Sequence, residues 1–336
     1  MKISIIIKAL NEERNVARCI ESAMAALDRF GGDGEIILAD SLSTDRTVEI
    51  ARAYPVRVVQ LVHAEDRCCG VGADLGYRVA TGDYLYILDA DMELGIDFLP
   101  AAVSAFESDA TLGGVGGRIE EMHVDNAEFR GRAAQKLPHF QPGSVDRLNM
   151  GGLYRRVAVQ PLGYLTNRNL HSFEEYELGA RLRASGWTLR RIDTLAAKHY
   201  GHTDSSLKLL LRRWRTRYAW GVGELLRESI GQPHLGLVVR EVRLFKQCLV
   251  VYGWWSLLLA CVFLAVVGLA SLWWLLPVVA APFMVAMVKR GSWADGLYVV
   301  VFNNLYALGL LAGLFAKRRG EPATPPPLRQ YGGIDG

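Results

Sequence analysis

The chain has 336 residues, a net charge of +3 and a hydrophobic content of 51%, slightly above the usual range for soluble proteins. Residues 1–204 carry 23 basic and 29 acidic side chains, whereas residues 205–336 carry 15 and 6, so an acidic front precedes a basic end. The basic part accompanies long apolar segments and contains no aromatic-rich basic motif, which favours anionic lipid headgroups and argues against nucleic acid as a partner. The five cysteines stand at no metal-ligand spacing, which argues against a zinc site.

Strand and helix patterns alternate through the first hundred residues. Buried strands are predicted at 3–7, 35–39, 56–62 and 84–88. Amphipathic helical patterns lie between them. This alternation predicts an α/β fold with a mostly parallel sheet and helices on both faces.

Acidic residues close two of these strands. The strand at 84–88 ends in Asp89-Ala90-Asp91, and the strand at 35–39 ends in Asp40. Open α/β folds bind ligands at the carboxyl ends of their strands, and a hard cation takes carboxylate and phosphate oxygens. The pattern therefore suggests a divalent ion that holds a nucleotide diphosphate, although helix-capping aspartates can produce a similar motif.

The next hundred residues are less regular. Helices are predicted at 100–106, 127–136 and 172–186, and strands at 113–119, 187–192 and 195–199. Residues 1–204 therefore form the predicted α/β domain.

The second part of the chain is typical of a membrane region. Residues 205–247 predict basic amphipathic helices at the bilayer interface, with solvated helices packed on the domain as the alternative. Residues 248–316 predict two or three spans, with a turn near 268–271. Lys317-Arg318-Arg319 breaks the positive-inside rule if all three cross, so the third segment could instead be re-entrant. The tail 317–336, with its proline run, is predicted to be disordered.

Six motifs in chain order together resemble the inverting GT-A glycosyltransferases of family 2. They are Asn11-Glu12-Glu13, Asp40–Thr47, Gly72–Gly76, Gly82–Asp91, Gly151–Arg156 and Glu174–Gly186. The fused apolar region is similar to that of bacterial members that act on exopolysaccharide or lipid-linked glycans. The resemblance covers residues 1 to about 204 and implies the Rossmann-like GT-A sheet.

The resemblance also implies a set of site residues. A nucleotide-sugar, UDP-linked by default, would contact Ala9, Glu12, Asp40, Asp74 and Asp89. A divalent metal, Mg²⁺ or Mn²⁺, would be held by Asp89, Asp91 and His199, with His202 as the alternative to His199. The acceptor and membrane side would include Gly151, Gly152, Arg155, Arg212, Arg213 and Trp214. Interfacial anchoring is the other interpretation of Arg212, Arg213 and Trp214.

Glu175 matches the acidic residue that acts as general base in this family, with Glu174 beside it. A carboxylate within hydrogen-bond reach of an acceptor hydroxyl can take its proton. The structural alternative is that Glu174, Glu175 and Glu177 only stabilise the start of a helix through its dipole. The sequence departs from the family pattern at Lys8, where proline is usual, and at Leu42, where glycine is usual. It also has Glu175 in place of aspartate and Asp74 in place of asparagine.

The expected function is a membrane-associated inverting glycosyltransferase at the cytoplasmic face of a bacterial-type inner membrane. Its expected partners are a nucleotide-sugar, a lipid-linked or glycan acceptor and membrane lipids; a homo-oligomer is compatible with the sequence. One alternative is a polyprenyl-phosphate sugar synthase, in which the lipid phosphate itself is the acceptor. Another is a non-catalytic membrane scaffold with a degenerate transferase domain.

Overall fold

The computed structural model describes residues 1–123, 138–149, 151–201 and 206–331, and the chain divides into two compact units. The first contains Met1–Thr203 together with Lys317–Gly336, and the second contains Asp204–Ala316. The helix predicted at 127–136 and the alternative ligand His202 lie outside the described residues.

The first unit is built on one mixed sheet, to which ten strands contribute within the described ranges. In chain order these are β1 (Lys2–Ala9), β2 (Asp33–Asp40), β3 (Arg57–Leu61), β4 (Tyr84–Asp89), β5 (Met92–Leu94), β6 (Leu112–Glu121), β7 (Gly143–Ser144), β8 (Gly152–Arg155), β9 (Thr188–His199) and β10 (Leu328–Tyr331). Their order across the sheet is β10-β3-β2-β1-β4-β8-β6-β9-β5, and β7 pairs with β9. The predicted α/β fold is confirmed.

Helices pack against this sheet in two layers. They are α1 (Val16–Phe30), α2 (Thr47–Ala51), α3 (Cys69–Tyr77), α4 (Phe98–Ser108), α5 (Arg156–Val159) and α6 (Glu174–Ala184). Because side chains alternate across a strand, Ile5 and Ile6 of β1 enter different apolar clusters. Ile5 packs with Ile20 of α1, and Ile6 packs with Leu75 of α3.

The parallel block β3-β2-β1-β4 brings the predicted acidic strand ends together. The register places Ala9 opposite Asp40 and Lys8 opposite Asp89. The carboxyl ends of β1, β2 and β4 therefore meet at one edge of the sheet, as the sequence predicts for parallel strands.

The other half of the sheet is largely antiparallel, which differs from the mostly parallel prediction. β8 runs antiparallel to both β4 and β6, so it is a reversed strand between two strands that run in the same direction. β9 is one continuous strand, whereas the sequence predicts two strands interrupted near Asp193. Asp193 forms an ion pair with Arg118 at 2.9 Å, and the register between β6 and β9 shifts beside Arg118. The polar residues thus belong to an irregular exposed stretch of the strand.

The C-terminal tail differs from a second prediction, that of disorder. The sequence predicts disorder over 317–336, whereas Leu328–Tyr331 form β10, which pairs antiparallel with β3. A proline-rich segment is expected to be disordered because it has no periodic apolar face that could be buried. Here four residues are ordered instead by backbone hydrogen bonds, which pair with the N–H and C=O groups at the open edge of β3.

The second unit consists of helices in its described part. They are α7 (Ser206–Arg215), α8 (Gly221–Ser229), α9 (Leu235–Glu241), α10 (Arg243–Val266), α11 (Leu275–Arg290) and α12 (Trp293–Phe315). Three segments are long and apolar enough to cross a bilayer: Arg243–Val266, Leu272–Arg290 and Trp293–Phe315. The predicted turn lies between the first two, where Gly268 has a positive φ of 76°. The region 205–247 predicted as interfacial helices ends differently: α9 stops at Glu241, and residues 243–247 belong to α10, the first long apolar helix.

Candidate functional site

A partly buried lysine, Lys8, joins the acidic residues at the carboxyl edge of the sheet. The Lys8 Nζ atom lies 2.8 Å from Asp89 Oδ1, 3.6 Å from Glu175 Oε1 and 3.7 Å from Glu174 Oε1. Lys8 is at the end of β1, Asp89 is at the end of β4, and the two glutamates begin α6. The cluster therefore combines three elements around one ammonium group.

The electrostatics of this cluster favour a proton-accepting role for Glu175. The pKa of Glu175 is raised to about 7: burial raises it, Lys8 opposes the shift, and Glu174 and Asp89 add to it. Burial lowers the pKa of Lys8, but Asp89, Glu175 and Glu174 outweigh this and raise it well above its usual value. Among the described residues, the buried Glu175 Oε2 atom accepts no hydrogen bond. Glu175 thus has one oxygen close to a cation and one buried oxygen that accepts no hydrogen bond from the described residues.

The three glutamates of α6 have different roles. Glu177 accepts a hydrogen bond from the Tyr164 hydroxyl at 2.8 Å and pairs with Arg181 at 2.8 Å. Glu177 therefore fits the structural alternative for this acidic run. Glu174 and Glu175 face Lys8 instead, so stabilisation of the helix start does not account for their placement.

Asp91 and His199 form a second cluster beside the first. The His199 Nε2 atom lies 3.3 Å from Asp91 Oδ2, and its Nδ1 atom lies 2.6 Å from Glu121 Oε2. Burial lowers the pKa of His199, but hydrogen bonds to Asp91 and Glu121 outweigh it and raise the pKa to about 10. A carboxylate that orients one ring nitrogen while the other faces a ligand is the usual environment of a metal-binding histidine.

The donor set fits a divalent ion with an incomplete protein coordination shell. Asp91 offers carboxylate oxygens and His199 offers Nε2, whereas Glu121 supports the histidine from behind. Within the part of the chain that the structure describes, no three His, Cys, Asp or Glu side chains are arranged to hold an ion. Phosphate oxygens of a substrate would therefore have to complete the site, as is common for Mg²⁺.

The first loop after β1 is tied to the segment after β2. The Asn11 backbone donates to Ser43 Oγ at 2.8 Å, and the Glu12 backbone donates to Thr47 Oγ1 at 2.7 Å. Burial raises the pKa of Glu12 to about 7; Asn15 opposes this, and Asp91 and Asp89 add to it. Ala9 lies directly before this loop and is buried. The structure thus brings Ala9, Glu12, Asp89 and Asp91 to one edge.

Asp40 is completely buried at the same edge. Its Oδ1 atom accepts a hydrogen bond from Ser43 Oγ at 2.5 Å. Its Oδ2 atom accepts from the Ser43 backbone at 3.0 Å and from Gln60 Nε2 at 2.8 Å. We name residues 40–44 the Asp40 loop. In this conformation the hydrogen bonds of the Asp40 side chain stabilise this loop, and the buried carboxylate is not exposed for a direct contact with a nucleotide base.

Two predicted site residues lie away from this edge. Asp74 is buried in α3, where it accepts hydrogen bonds from the Leu165 backbone at 2.9 Å and from Arg78 at 3.0 Å. Arg155 pairs opposite Tyr84, at the other end of β4 from Asp89, and donates to the backbone oxygens of Leu112 and Phe106. Both side chains stabilise the fold at their observed positions.

The remaining acceptor-side residues belong to two different units. Gly152 is opposite Ile87 in the sheet, and Gly151 has a positive φ of 83° beside the Tyr86 hydroxyl. Arg213 of α7 lies over the Tyr218 ring at 4.9 Å, within the second unit. Arg212 and Trp214 flank it in the same helix, and Trp214 packs edge-on against the Trp220 ring. The proximity of these three α7 residues to an acceptor stays a prediction.

Sequence reasoning missed the roles of Lys8 and Glu121. Lys8 was noted only as a departure from proline, yet its position opposite Asp89 follows from the parallel register. Glu121 ends β6 as Asp89 ends β4, so an acidic strand end was the available signal. The pairing of β6 with β9, which brings Glu121 to His199, was not deducible from local pattern.

Comparison with known proteins gives a family match and several partial relatives. Residues 4–159 match the family described as Glycosyl transferase family 2. A low-salt glycan biosynthesis hexosyltransferase of Haloferax volcanii is 33% identical over 118 residues, which are 35% of this chain and 28% of that protein. A dolichol-phosphate mannosyltransferase of Pyrococcus furiosus is 30% identical over 129 residues, 36% of each chain. The chain thus spans about a third of these two relatives.

A solved structure shares the fold over most of the chain. A mannosyltransferase from Pyrobaculum calidifontis, in complex with GDP-Man and Mn²⁺, superposes with a TM-score of 0.64 at 16% identity. The match covers 93% of this chain and 87% of that one. At this identity the likeness concerns the fold alone.

Proposed function

Because residues 4–159 form a glycosyltransferase family 2 domain, we propose that this protein transfers a sugar, with inversion, from a nucleotide-sugar to a lipid-linked or polysaccharide acceptor. The proposed reaction takes place at the cytoplasmic face of a bacterial-type inner membrane. The donor is proposed to be a UDP-sugar by family resemblance, and the apolar segments of the second unit supply the proposed membrane attachment.

The observation that carries this proposal is the buried Glu175 beside Lys8. Inversion requires a base that removes the acceptor proton as the hydroxyl attacks the anomeric carbon. A base with a pKa near the working pH is effective, and burial raises the pKa of Glu175 to about 7. Lys8 holds one side of the carboxylate, so that Oε2 can accept the proton.

Asp91 and His199 are the residues proposed to hold a divalent ion, with Glu121 orienting the histidine. When bound, such an ion stabilises the negative charge of a leaving diphosphate. Lys8 adds a fixed positive charge next to Asp89 at the same edge.

A second candidate function is synthesis of a polyprenyl-phosphate sugar. The matched dolichol-phosphate mannosyltransferase favours it, since the name of that relative refers to a lipid phosphate. The basic helix α7, with Arg212, Arg213 and Arg215 in its last turn, could accompany such an acceptor. A phosphate acceptor is already ionised and does not need a base.

Substitution of the proposed base distinguishes the two candidates. With a hydroxyl acceptor, Glu175→Gln should lower kcat about 100-fold or more, because general base catalysis contributes roughly 10²–10⁴-fold. With a lipid phosphate acceptor, the same variant should keep most of its activity. Transfer from UDP- and GDP-sugars is measured in Mn²⁺ with each acceptor class, and equal thermal unfolding temperatures serve as the folding control.

The proposed metal role has a separate test. Asp91→Ala should abolish transfer and weaken nucleotide binding when Mn²⁺ is present, with little change when it is absent. Isothermal titration with UDP and GDP, with and without Mn²⁺, measures both. Full activity of Asp91→Ala would contradict the metal role, whereas a wild-type chain that transfers from none of the donors would contradict the enzyme proposal.

A further inference from the structure

The chain after the last helix follows a defined path along the first unit. We name residues 317–331 the C-terminal strap. The Arg319 backbone donates to Asn169 Oδ1 at 2.8 Å, and Asn169 Nδ2 donates to the Gly320 oxygen at 2.8 Å. Arg168 donates to the Thr324 oxygen at 2.8 Å. The strap is therefore held by specific side chains before it reaches the sheet.

The strap then completes the sheet edge beside β3. Its strand β10 places Leu328 opposite Leu61 and Tyr331 opposite Val58. Within β10 the side chains of Arg329 and Gln330 are exposed, whereas Leu328 and Tyr331 are partly buried. Tyr331 is thus the polar side chain of this strand that turns toward the unit.

One chain of hydrogen bonds leads from the strap to the Asp40 loop. The Tyr331 hydroxyl donates to Gln60 Oε1 at 2.9 Å. Because this contact occupies the amide oxygen of Gln60, its Nε2 faces the other way and donates to Asp40 Oδ2 at 2.8 Å. Loss of the tyrosine hydroxyl would leave the amide orientation of Gln60 less restricted.

A second route reaches the same loop from the start of the strap. The Arg319 guanidinium donates to the Arg67 backbone oxygen at 2.5 Å and lies 2.8 Å from His171 Nε2. Arg67 in turn donates to the Ser41 oxygen at 2.8 Å and to the Leu42 oxygen. Leu42 has a positive φ of 61°, a left-handed conformation that is strained for a non-glycine residue. Arg67 therefore holds a strained part of the loop.

We propose that the C-terminal strap positions the Asp40 loop and thereby sets the affinity and base selectivity of the donor site. This inference rests on the proposed function and on the family resemblance, which implies that the nucleotide-sugar lies beside Asp40. Tyr331 and Arg319 are positioning residues, because they act through Gln60 and Arg67. The two routes converge on three consecutive residues, Asp40, Ser41 and Leu42, which a general edge-covering role would not require.

Tyr331→Phe tests the inference, since it removes one hydroxyl and keeps the packing. Full-length wild type and variant are titrated with UDP and with GDP in Mn²⁺, and their thermal unfolding is recorded. We expect the affinity for the preferred nucleotide to fall about three- to tenfold, as for loss of one hydrogen bond. We expect the affinity ratio between the two nucleotides to fall as well, while the unfolding temperature and the kcat for transfer stay unchanged.

Gln330→Ala is the matched control, because this exposed side chain lies in the same strand opposite Val59, whereas Arg329 lies directly opposite Gln60. It should change neither affinity. Unchanged affinities and ratio in Tyr331→Phe would overturn the inference, and so would an equal loss for both nucleotides with a lower unfolding temperature. If the wild-type chain binds neither nucleotide, the proposed function itself is contradicted. If the wild-type chain binds a nucleotide and Tyr331→Phe gives either of those two results, only the inference about the C-terminal strap is contradicted.

Discussion

At Lys8 a single ammonium group faces three carboxylates at the carboxyl edge of the sheet. Removing an unpaired buried charge from water is costly, so the lysine and the acids stabilise each other's charged forms. Burial still raises the pKa of Glu175 to about 7, which means that Lys8 compensates only part of the desolvation. Lys8, one of the departures from the family pattern, therefore adjusts the pKa of the proposed base.

The sign of the resulting pH dependence follows from the role of Glu175. A base must be deprotonated, so transfer to a hydroxyl acceptor should rise as the pH passes through about 7. Lys8 lowers the pKa of Glu175, so Lys8→Met should move the midpoint of the kcat/KM profile to higher pH. A profile measured from pH 5.5 to 9 checks this shift.

Lys8→Arg is the control for that profile, because it keeps the positive charge. Its midpoint should stay closer to that of the wild type than the midpoint of Lys8→Met. A Lys8→Met profile with an unchanged midpoint would contradict the proposed electrostatic coupling between Lys8 and Glu175.

At the scale of elements, close helix contacts in the second unit depend on glycine. A Cβ atom on Gly313 of α12 would lie 2.0 Å from the Trp220 oxygen, next to the start of α8. Arg227 of α8 donates to the Gly313 oxygen at 3.2 Å and to the Ala316 oxygen. The end of α12 is thus stabilised by close packing of its backbone against the Trp220 backbone and by hydrogen bonds from Arg227. Small residues permit the same kind of close contact between membrane helices.

Gly313→Ala should therefore destabilise the second unit by about 1–3 kcal/mol, the usual cost of an overpacked contact. Gly253→Ala in α10 is the matched control, since a Cβ atom there meets nothing within 4 Å. The control should be neutral or slightly stabilising, because alanine favours helix more than glycine does. Thermal unfolding in detergent compares the two, and equal unfolding temperatures would contradict the close packing of α8 and α12.

At the scale of the whole molecule, the chain combines an α/β unit with an apolar helical one. Among the residues that the structure describes, three helical segments have the length and composition to cross a bilayer, and many large apolar side chains of α10 to α12 are exposed. Exposed apolar surface of this extent is costly in water, so we expect it to be covered by lipid.

Membrane fractionation tests this expectation directly. The full-length chain should stay in the membrane pellet after an alkaline carbonate wash and should be released by detergent. Retention reflects helices inserted in the hydrocarbon core, because the wash removes proteins bound by charge alone. Release of most of the protein by carbonate would contradict insertion and would favour surface binding through basic helices such as α7.

The sequence alone was sufficient for the elements whose signal is local. Runs such as Ile3–Ile7 predict buried strands by composition, and acids after Leu88 predict a ligand-binding edge through the rule for parallel strands. The motif order also indicated the family, and residues 4–159 match the model of Glycosyl transferase family 2. These inferences depend only on short segments and on their order along the chain, and both are given by the amino-acid sequence.

Only the tertiary structure decided which residues share the site. Lys8 meets Glu175, Glu121 meets His199, and the tail meets β3 through contacts between distant parts of the chain. Asp74 and Arg155 were predicted at the site from the motifs in which they stand, yet they stabilise the fold elsewhere. A local pattern specifies a strand or a helix, whereas strand pairing and burial specify neighbours, and neighbours determine the charge and protonation of a side chain.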